Sequence, residues 1–240
     1  MQIDKDTQIL IDERLKNDAP ALESFTPQEL RALRAKMAET PLELRVDISD
    51  VMELSVKGTL GDIPIRKYYN SSTTDPKHKI SPLIIYFHGG GFVMGDLESH
   101  DLVCRHLCKE AKATIIAVDY KLAPEHKFPA PIIDTKDAIT KIIERAEEYN
   151  FDPNKVILCG DSAGGTLATV GTIMSRDNVI PKVHGQILVY PWVDMTMCRR
   201  SMDIELKGMI LNKKTINYFA DHYLNNPQEQ VDWRASPILT

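Results

Sequence analysis

Cysteine is scarce in this chain: Cys104, Cys108, Cys159 and Cys198 are the only four in 240 residues, and they fit neither a disulfide framework nor a zinc pattern. Cys104 and Cys108 stand four apart on a predicted helix, but no second ligand pair of suitable spacing accompanies them. All four therefore read as reduced thiols, and that pair as buried packing. Long apolar runs are missing as well. The longest, Leu83 to Phe87, falls far short of the roughly 18 residues that a membrane helix needs, which excludes a membrane span. Basic charge is outweighed, with 29 Lys and Arg against 34 Asp and Glu and a formal net charge of −5. That balance argues against nucleic acid or an anionic membrane as partner, since either rewards a basic surface. The opening Met1-Gln2-Ile3-Asp4-Lys5-Asp6 lacks the basic and apolar regions of a secretory signal, which predicts a cytoplasmic protein. There is no internal repeat and no low-complexity segment.

What remains is ordinary globular composition, 43% hydrophobic and 26% charged, at a length that suits one large α/β domain. Residues 1–45 read as helical and set apart from the rest. Thr26-Pro27-Gln28-Glu29 forms a capping box with Pro27 at the first helical position, Phe25 and Leu30 form a hydrophobic staple, and Leu30, Leu33 and Met37 continue an apolar face. This is the pattern of a helical lid, with residues 201–225 as its second segment. Residues 46–240 then form the core. A hairpin is predicted between Val51 and Tyr69 with Gly61-Asp62 at the turn, and Pro64 suits an edge or a strand start because it cannot donate to a ladder. A polar loop, Ser71 to Lys79, follows.

Four short runs come next: Leu83 to Phe87, Thr114 to Val118, Val156 to Leu158 and Ile187 to Tyr190. They are apolar throughout rather than alternating, as strands covered on both faces by helices are. The segments between them have helical period, most clearly Ile132, Ile133, Ile139, Ile142, Ile143 and Ala146. A mostly parallel sheet with helices on both faces is expected, with right-handed crossovers. Ile216, Phe219, Ala220, Tyr223 and Leu224 add a late amphipathic helix.

Two motifs carry the chemistry. Gly160-Asp161-Ser162-Ala163-Gly164 follows the run Val156-Ile157-Leu158-Cys159 and opens a helix, the setting of a nucleophile elbow. A serine hydroxyl is a poor nucleophile by itself, so a sharp strand-to-helix turn that lifts it clear of the backbone matters. His88-Gly89-Gly90-Gly91 directly follows an earlier buried strand. Its bare backbone N–H groups suit the oxyanion of a tetrahedral acyl intermediate, with Gly90, Gly91 and Ala163 as donors. A phosphate-binding loop is disfavoured, because neither a Gly-x-Gly-x-x-Gly nor a Gly-Lys-Ser/Thr pattern is present.

On these residues the chain resembles the hormone-sensitive-lipase-like family of α/β-hydrolases. The resemblance extends to Phe92, to Val118-Asp119-Tyr120-Lys121-Leu122-Ala123-Pro124-Glu125-His126, to Phe128-Pro129-Ala130, to Gly165, to Tyr190-Pro191 and to Ser236-Pro237-Ile238-Leu239. It implies the α/β-hydrolase fold, with Ser162 as nucleophile and the glycines as oxyanion hole. Lys121 departs from the family's usual arginine and Thr166 from a frequent asparagine. The family also continues into two more strands that carry the acid and base of its triad, and the sequence stops before them.

The order in this fold class is Ser, then acid, then His, and only His184 and His222 follow Ser162. His184 precedes its strand and is expected at the wrong end of the sheet, while His222 lies off the apolar stripe of its helix. His88 and His126 read as structural loop residues, Asp161 as a local brace, and Asp119 and Asp194 as acids of the surroundings. The expectation is a carboxylic-ester hydrolase for small acyl esters, working through an acyl-enzyme on Ser162, with Asp and His of the triad missing from this chain. No metal or organic cofactor is implied. The alternatives are a non-catalytic small-molecule binder on the same fold, as the gibberellin receptors of this superfamily are, or an inactive truncated product. The run Ile187 to Tyr190 would leave a raw apolar sheet edge, which a second copy or a partner is expected to cover.

Overall fold

The structure is a computed structural model that describes residues 3–38, 44–71, 80–204 and 207–240. The polar loop expected at Ser71 to Lys79 falls almost wholly outside the described residues, as do short stretches of both expected lid segments. Helix α1 (Lys5–Lys16) is capped by Asp4, whose carboxylate accepts from the N–H groups of Asp6 and Thr7. Helix α2 (Pro27–Met37) carries the capping box: Glu29 N–H donates to Thr26 Oγ1 (3.3 Å), and Thr26 N–H donates to Glu29 Oε2 (2.8 Å). Leu30 is buried, but Leu33 and Met37 are exposed, contrary to the apolar face read from the sequence. The inward stripe of α2 is Pro27, Leu30, Arg31 and Arg34. Arg31 sets that rotation, donating to the carbonyls of Val93 (2.8 Å) and Ala123 (2.7 Å) and pairing with Glu125.

Strands β1 (Asp50–Gly58) and β2 (Gly61–Tyr69) form the antiparallel hairpin. The turn lies at Thr59-Leu60 rather than Gly61-Asp62, because Gly58 pairs with Gly61. Pro64 sits inside β2, neither on an edge nor at the strand start. Pairing of β2 with β4 (Thr114–Val118) begins at Ile65, so the missing N–H disrupts no ladder bond there, while Pro64 O accepts from Asp119 N (3.0 Å).

The sheet has the order β1-β2-β4-β3-β5-β6, with β3 (Ser81–Phe87), β5 (Phe151–Asp161) and β6 (Gly185–Val189) parallel to β4. Alternation along the central strands explains their all-apolar composition. Leu83, Ile85, Phe87, Ile116, Val118, Val156 and Leu158 enter one core, together with residues of α4 (Ala130–Glu144) and α6 (Ala163–Arg176). Ile84, Tyr86, Ile115, Ala117 and Cys159 enter the other, with Cys104 and Cys108 of α3 (Asp101–Glu110). Each such side chain contributes about 1.5–3 kcal/mol by burial, so strands of this kind admit few polar residues. Strand β6 departs from the doubly covered pattern: it is an edge strand, with Ile187 44% and Val189 38% exposed. The short α5 (Ala146–Tyr149) leads into β5, and α7 (Lys213–Tyr223) buries Phe219, Ala220 and Tyr223 over the carboxyl end of the sheet.

Candidate active site

Strands β3 and β5 are neighbours in register, with Phe87 opposite Gly160, so the two glycine motifs that follow them emerge side by side. At the end of β5 the chain reverses sharply into α6, and Ser162 takes φ 53° and ψ −118°. A side chain in that region costs about 1–3 kcal/mol. The turn is tied on both sides: Ser162 N–H donates to Val189 O (2.9 Å), and Trp192 N–H donates to Ser162 O (3.1 Å). Its closeness dictates the glycines. A Cβ on Gly160 would stand 2.3 Å from Gly164 O, and one on Gly164 would stand 2.0 Å from Phe87 O. Ser162 is half-buried, and among the described residues its hydroxyl has no hydrogen-bond partner.

The loop after β3 is equally constrained. Gly90 has φ 125° and Gly91 φ 63°, and Gly90 O accepts from the N–H groups of Val93 and Met94 in a tight turn. The backbone N–H groups of Gly90, Gly91 and Ala163 donate to no acceptor among the described residues. The sequence names these residues from their motifs, and the fold brings Gly90, Gly91 and Ser162 to one cleft, with Ala163 next to Ser162 in the chain. Gly89, Gly90, Gly91, Asp161 and Ser162 line a single cleft of about 450 Å³, walled otherwise by Leu22 and Arg34 from the amino-terminal region, Met94, His100, Tyr190 to Trp192, and Ile210, Leu211, Ile216 and Phe219. Leu33 and Met37 are not on that wall.

Asp161 joins the two loops. It accepts from Tyr86 Oη (2.7 Å) and Gly89 N–H (2.9 Å), and His100 Nε2 lies 3.4 Å away. Burial alone would raise its pKa. The hydrogen bond and charge of His100, with the bonds from Tyr86 and Gly89, outweigh that and hold the carboxyl below its ordinary value. Nothing in the motif spelling points to His100, since its 61-residue separation from Asp161 is closed only by the fold. It is held in turn by its loop: Arg66 of β2, 8% exposed, pairs with Glu98 and Asp101 on either side of His100, and with Glu53.

Of the other described histidines, none lines the cleft that holds Ser162. His88 is buried beneath the glycine loop, donates from Nδ1 to Gly89 O (2.8 Å) and stacks on Tyr120 at 4.4 Å. Burial, with His100 nearby, lowers its pKa to about 4, so it is neutral. Asp119 lies 3.9 Å from His88 Nε2, too far for a hydrogen bond, and burial followed by the charge of Asp96 pushes its carboxyl up to about 6. His126 is exposed and lines an adjoining cleft with Arg31, Asp119 and Glu125. His184 sits at the amino end of β6, donating its N–H to Val156 O (2.7 Å), and His222 Nδ1 donates to Tyr218 O (2.8 Å) on α7. Asp194 lies outside the cleft wall, accepting from Thr196 N–H and Arg199. The two departures from the resembled pattern are accommodated: Lys121 reaches the buried Asp134, and Thr166 Oγ1 donates to Trp192 O.

The alpha/beta hydrolase fold family matches residues 84–240. The carboxylic ester hydrolase LipN of Mycobacterium tuberculosis is 38% identical over 196 residues, which cover 79% of this chain and 51% of that protein. The esterase LipI of the same organism is 36% identical over 203 residues, covering 82% of this chain and 63% of its own length. The chain thus spans about half to two thirds of the length of these curated relatives. Among solved structures, the carboxylesterase EstE1 from a metagenomic library superposes with a TM-score of 0.84 at 33% identity, over 90% of this chain and 74% of that one. An ester-hydrolase from the Lake Arreo metagenome, complexed with a bipyridine phosphonate derivative, superposes with a TM-score of 0.88 at 31% identity, over 100% and 76%. Among the described residues, no helix is long and apolar enough to cross a membrane. Motifs, fold and relatives agree, and the chain belongs to the α/β-hydrolase fold family, in its hormone-sensitive-lipase-like branch of carboxylesterase-type serine hydrolases.

Proposed function

We propose that this chain carries the nucleophile and the oxyanion donors of a hydrolase for small carboxylic esters. The observation that carries the reading is the strained elbow at Ser162, whose unbonded hydroxyl shares a cleft with Gly90 and Gly91, whose N–H groups are free among the described residues, as is that of Ala163, the next residue along the chain. Ser162 Oγ attacks the ester carbonyl carbon and gives its proton to a base. The carbonyl oxygen becomes an oxyanion held by the three N–H groups, at the amino end of α6, where the helix dipole also favours negative charge. The alcohol leaves with a proton, and water then releases the acid from the acyl-serine. Among the described residues the one histidine on the cleft wall, His100, turns Nε2 to Asp161, so none of them is assigned as the base or acid of the triad. The helices around residues 1–45 and 201–225 act as the lid over this cleft.

A fluorophosphonate probe followed by peptide mapping tests the nucleophile. The expected result is an adduct on Ser162 that disappears in Ser162→Ala, formed orders of magnitude more slowly than in a complete hydrolase, because losing a triad member leaves only about 10³–10⁴-fold catalysis over water. Modification elsewhere, or none, overturns the assignment. The absence of a base at Ser162 Oγ among the described residues favours a second reading, a binder without turnover. Recovery of intact ester after prolonged saturation of the protein would decide for it.

A further inference from the structure

Two arginines of α2, one turn apart, have different fates. Arg31 is saturated by Val93 O, Ala123 O and Glu125. Arg34 is half-buried, yet among the described residues its guanidinium has no ion pair and no hydrogen bond. It lines the cleft that holds Ser162. The other full charge on that wall is Asp161, which is already bonded by Tyr86 and Gly89 and faces His100. Arg34 also reaches the adjoining cleft, whose acids make no ion pair with it: Glu125 binds Arg31, Asp96 accepts from Ser99 N–H (2.7 Å), and Asp119 lies 3.9 Å from His88. Arg34 is therefore the one charged side chain on the Ser162 cleft wall with neither an ion pair nor a hydrogen bond among the described residues, beside a largely apolar lining that includes Leu22, Met94, Trp192 and Phe219. Tyr190, which is 75% exposed, lines the same cleft and feels its field.

Resting on the esterase reading, we infer that Arg34 makes this cleft selective for esters that also carry a carboxylate, such as half-esters of short dicarboxylic acids. A neutral ester drawn over Arg34 strips water from the guanidinium and returns nothing, whereas a carboxylate offers the bidentate, charge-assisted partner its planar fork fits. Selectivity of this kind arises as much from rejecting the neutral substrate as from binding the anion.

The test is a ligand-observed NMR titration of the Ser162→Ala chain, in which turnover is blocked, with monomethyl succinate and its neutral near-isostere methyl levulinate. The anionic ester is expected to bind about 10- to 100-fold more tightly, the range for a hydrogen bond to a charged group. Arg34→Gln should equalise the two by weakening the anion alone, and Arg34→Lys should keep a preference because the charge remains. The Arg34 side chain has no hydrogen bond or ion pair among the described residues to lose, so circular dichroism should show both variants folded. Equal affinities in the parent, or a preference that survives Arg34→Gln, would overturn the inference. Phosphonylation of Ser162 in the unsubstituted chain should abolish binding of both esters. Binding that persists would sink the esterase reading and this inference with it, whereas blocked binding with equal affinities sinks only the role of Arg34.

Discussion

Gly164→Ala isolates the constraint that creates the elbow. The position is helical and its φ is not in the left-handed region, so any penalty is steric. The added Cβ would stand 2.0 Å from Phe87 O and 2.6 Å from both Phe87 C and His88 O. All three are backbone atoms of β3 and the loop that carries the glycines, so no side chain can rotate to make room. Overpacking of a tight core costs about 1–3 kcal/mol, and a clash with fixed backbone belongs at the top of that range. Alanine returns about 1 kcal/mol in helix propensity, leaving a net loss of about 2 kcal/mol. At about 2–4 °C per kcal/mol for a chain of this size, Tm should fall by about 4–8 °C. Gly171→Ala in the same helix is the control. Its Cβ meets Ile139 Cδ1 and Leu158 Cδ1 at 2.7 Å, both terminal methyls that can turn aside, and the propensity gain offsets much of the strain. Its Tm should stay within about 3 °C of the parent. Thermal unfolding followed by circular dichroism compares the two, and if Gly164→Ala is tolerated as well as Gly171→Ala, the steric account of the elbow is wrong.

Asp119 titrates near 6 in the fold, against about 3.9 in an unfolded chain. The folded state therefore binds its proton more tightly, and that contribution is complete below about pH 4 and lost as pH rises through 6. The side chain is 36% exposed, so solvent screening limits the effect to about 1 kcal/mol. Asp119→Asn should stabilise by that amount at pH 8 and not at pH 4.5, and urea midpoints that shift equally at both values would refute it. Arg66→Met removes one of two cations paired with Asp101, which keeps Arg105 at 2.6 Å. Glu53 and Glu98 are 63% and 59% exposed and can turn to water, so the loss should be about 1–2 kcal/mol, well below the 3–5 of a fully buried pair left unpaired; a denaturation midpoint within error of the parent would contradict the anchoring role. Ile187→Lys places a charge on the exposed β6 edge and should reduce self-association in light scattering. Unchanged association would show that this edge is not the sticky surface.

The central runs of β3, β4 and β5, Leu83 to Phe87, Ile115 to Val118 and Val156 to Cys159, were legible because burial on both faces leaves a signature that needs no knowledge of neighbours: every position in them is apolar. Thr26 to Glu29 was legible for a related reason, since a capping box closes within four residues. Helix α2 shows where such reading stops. Its apolar residues Leu30, Leu33 and Met37 suggested one face, but Arg31 bonds to two carbonyls and a carboxylate far along the chain, and this polar anchor turns Arg34 rather than Leu33 toward the cleft. The hairpin turn was misplaced by two residues because Gly61 serves as a strand residue opposite Gly58, and glycine alone does not say on which side of a turn it stands. At the site, Ser162, Gly90, Gly91 and Ala163 could be named from two local motifs. His100 could not, because its significance lies in Asp161 and Arg66, which only the tertiary fold brings to it.

That unreadable part bears on how the readable part works. Asp161 ends β5 immediately before the elbow, and its partner Gly89 begins the glycine loop, so one carboxylate fixes the spacing between Ser162 and that loop. The arrangement depends on its charge. The Tyr86 hydroxyl, the Gly89 N–H and the His100 ring all face Asp161 Oδ1, and an ionised carboxylate oxygen accepts such donors more strongly than the oxygen of a neutral acid. Burial pushes toward the protonated form and the donors push back harder, so the same bonds that hold the loops together also maintain the charge that strengthens those bonds. In such a mutually dependent cluster, loss of one donor weakens the others. The glycine loop is thus positioned by a network running through Tyr86, His100 and Arg66, of which the two motifs supply only Asp161 and Gly89.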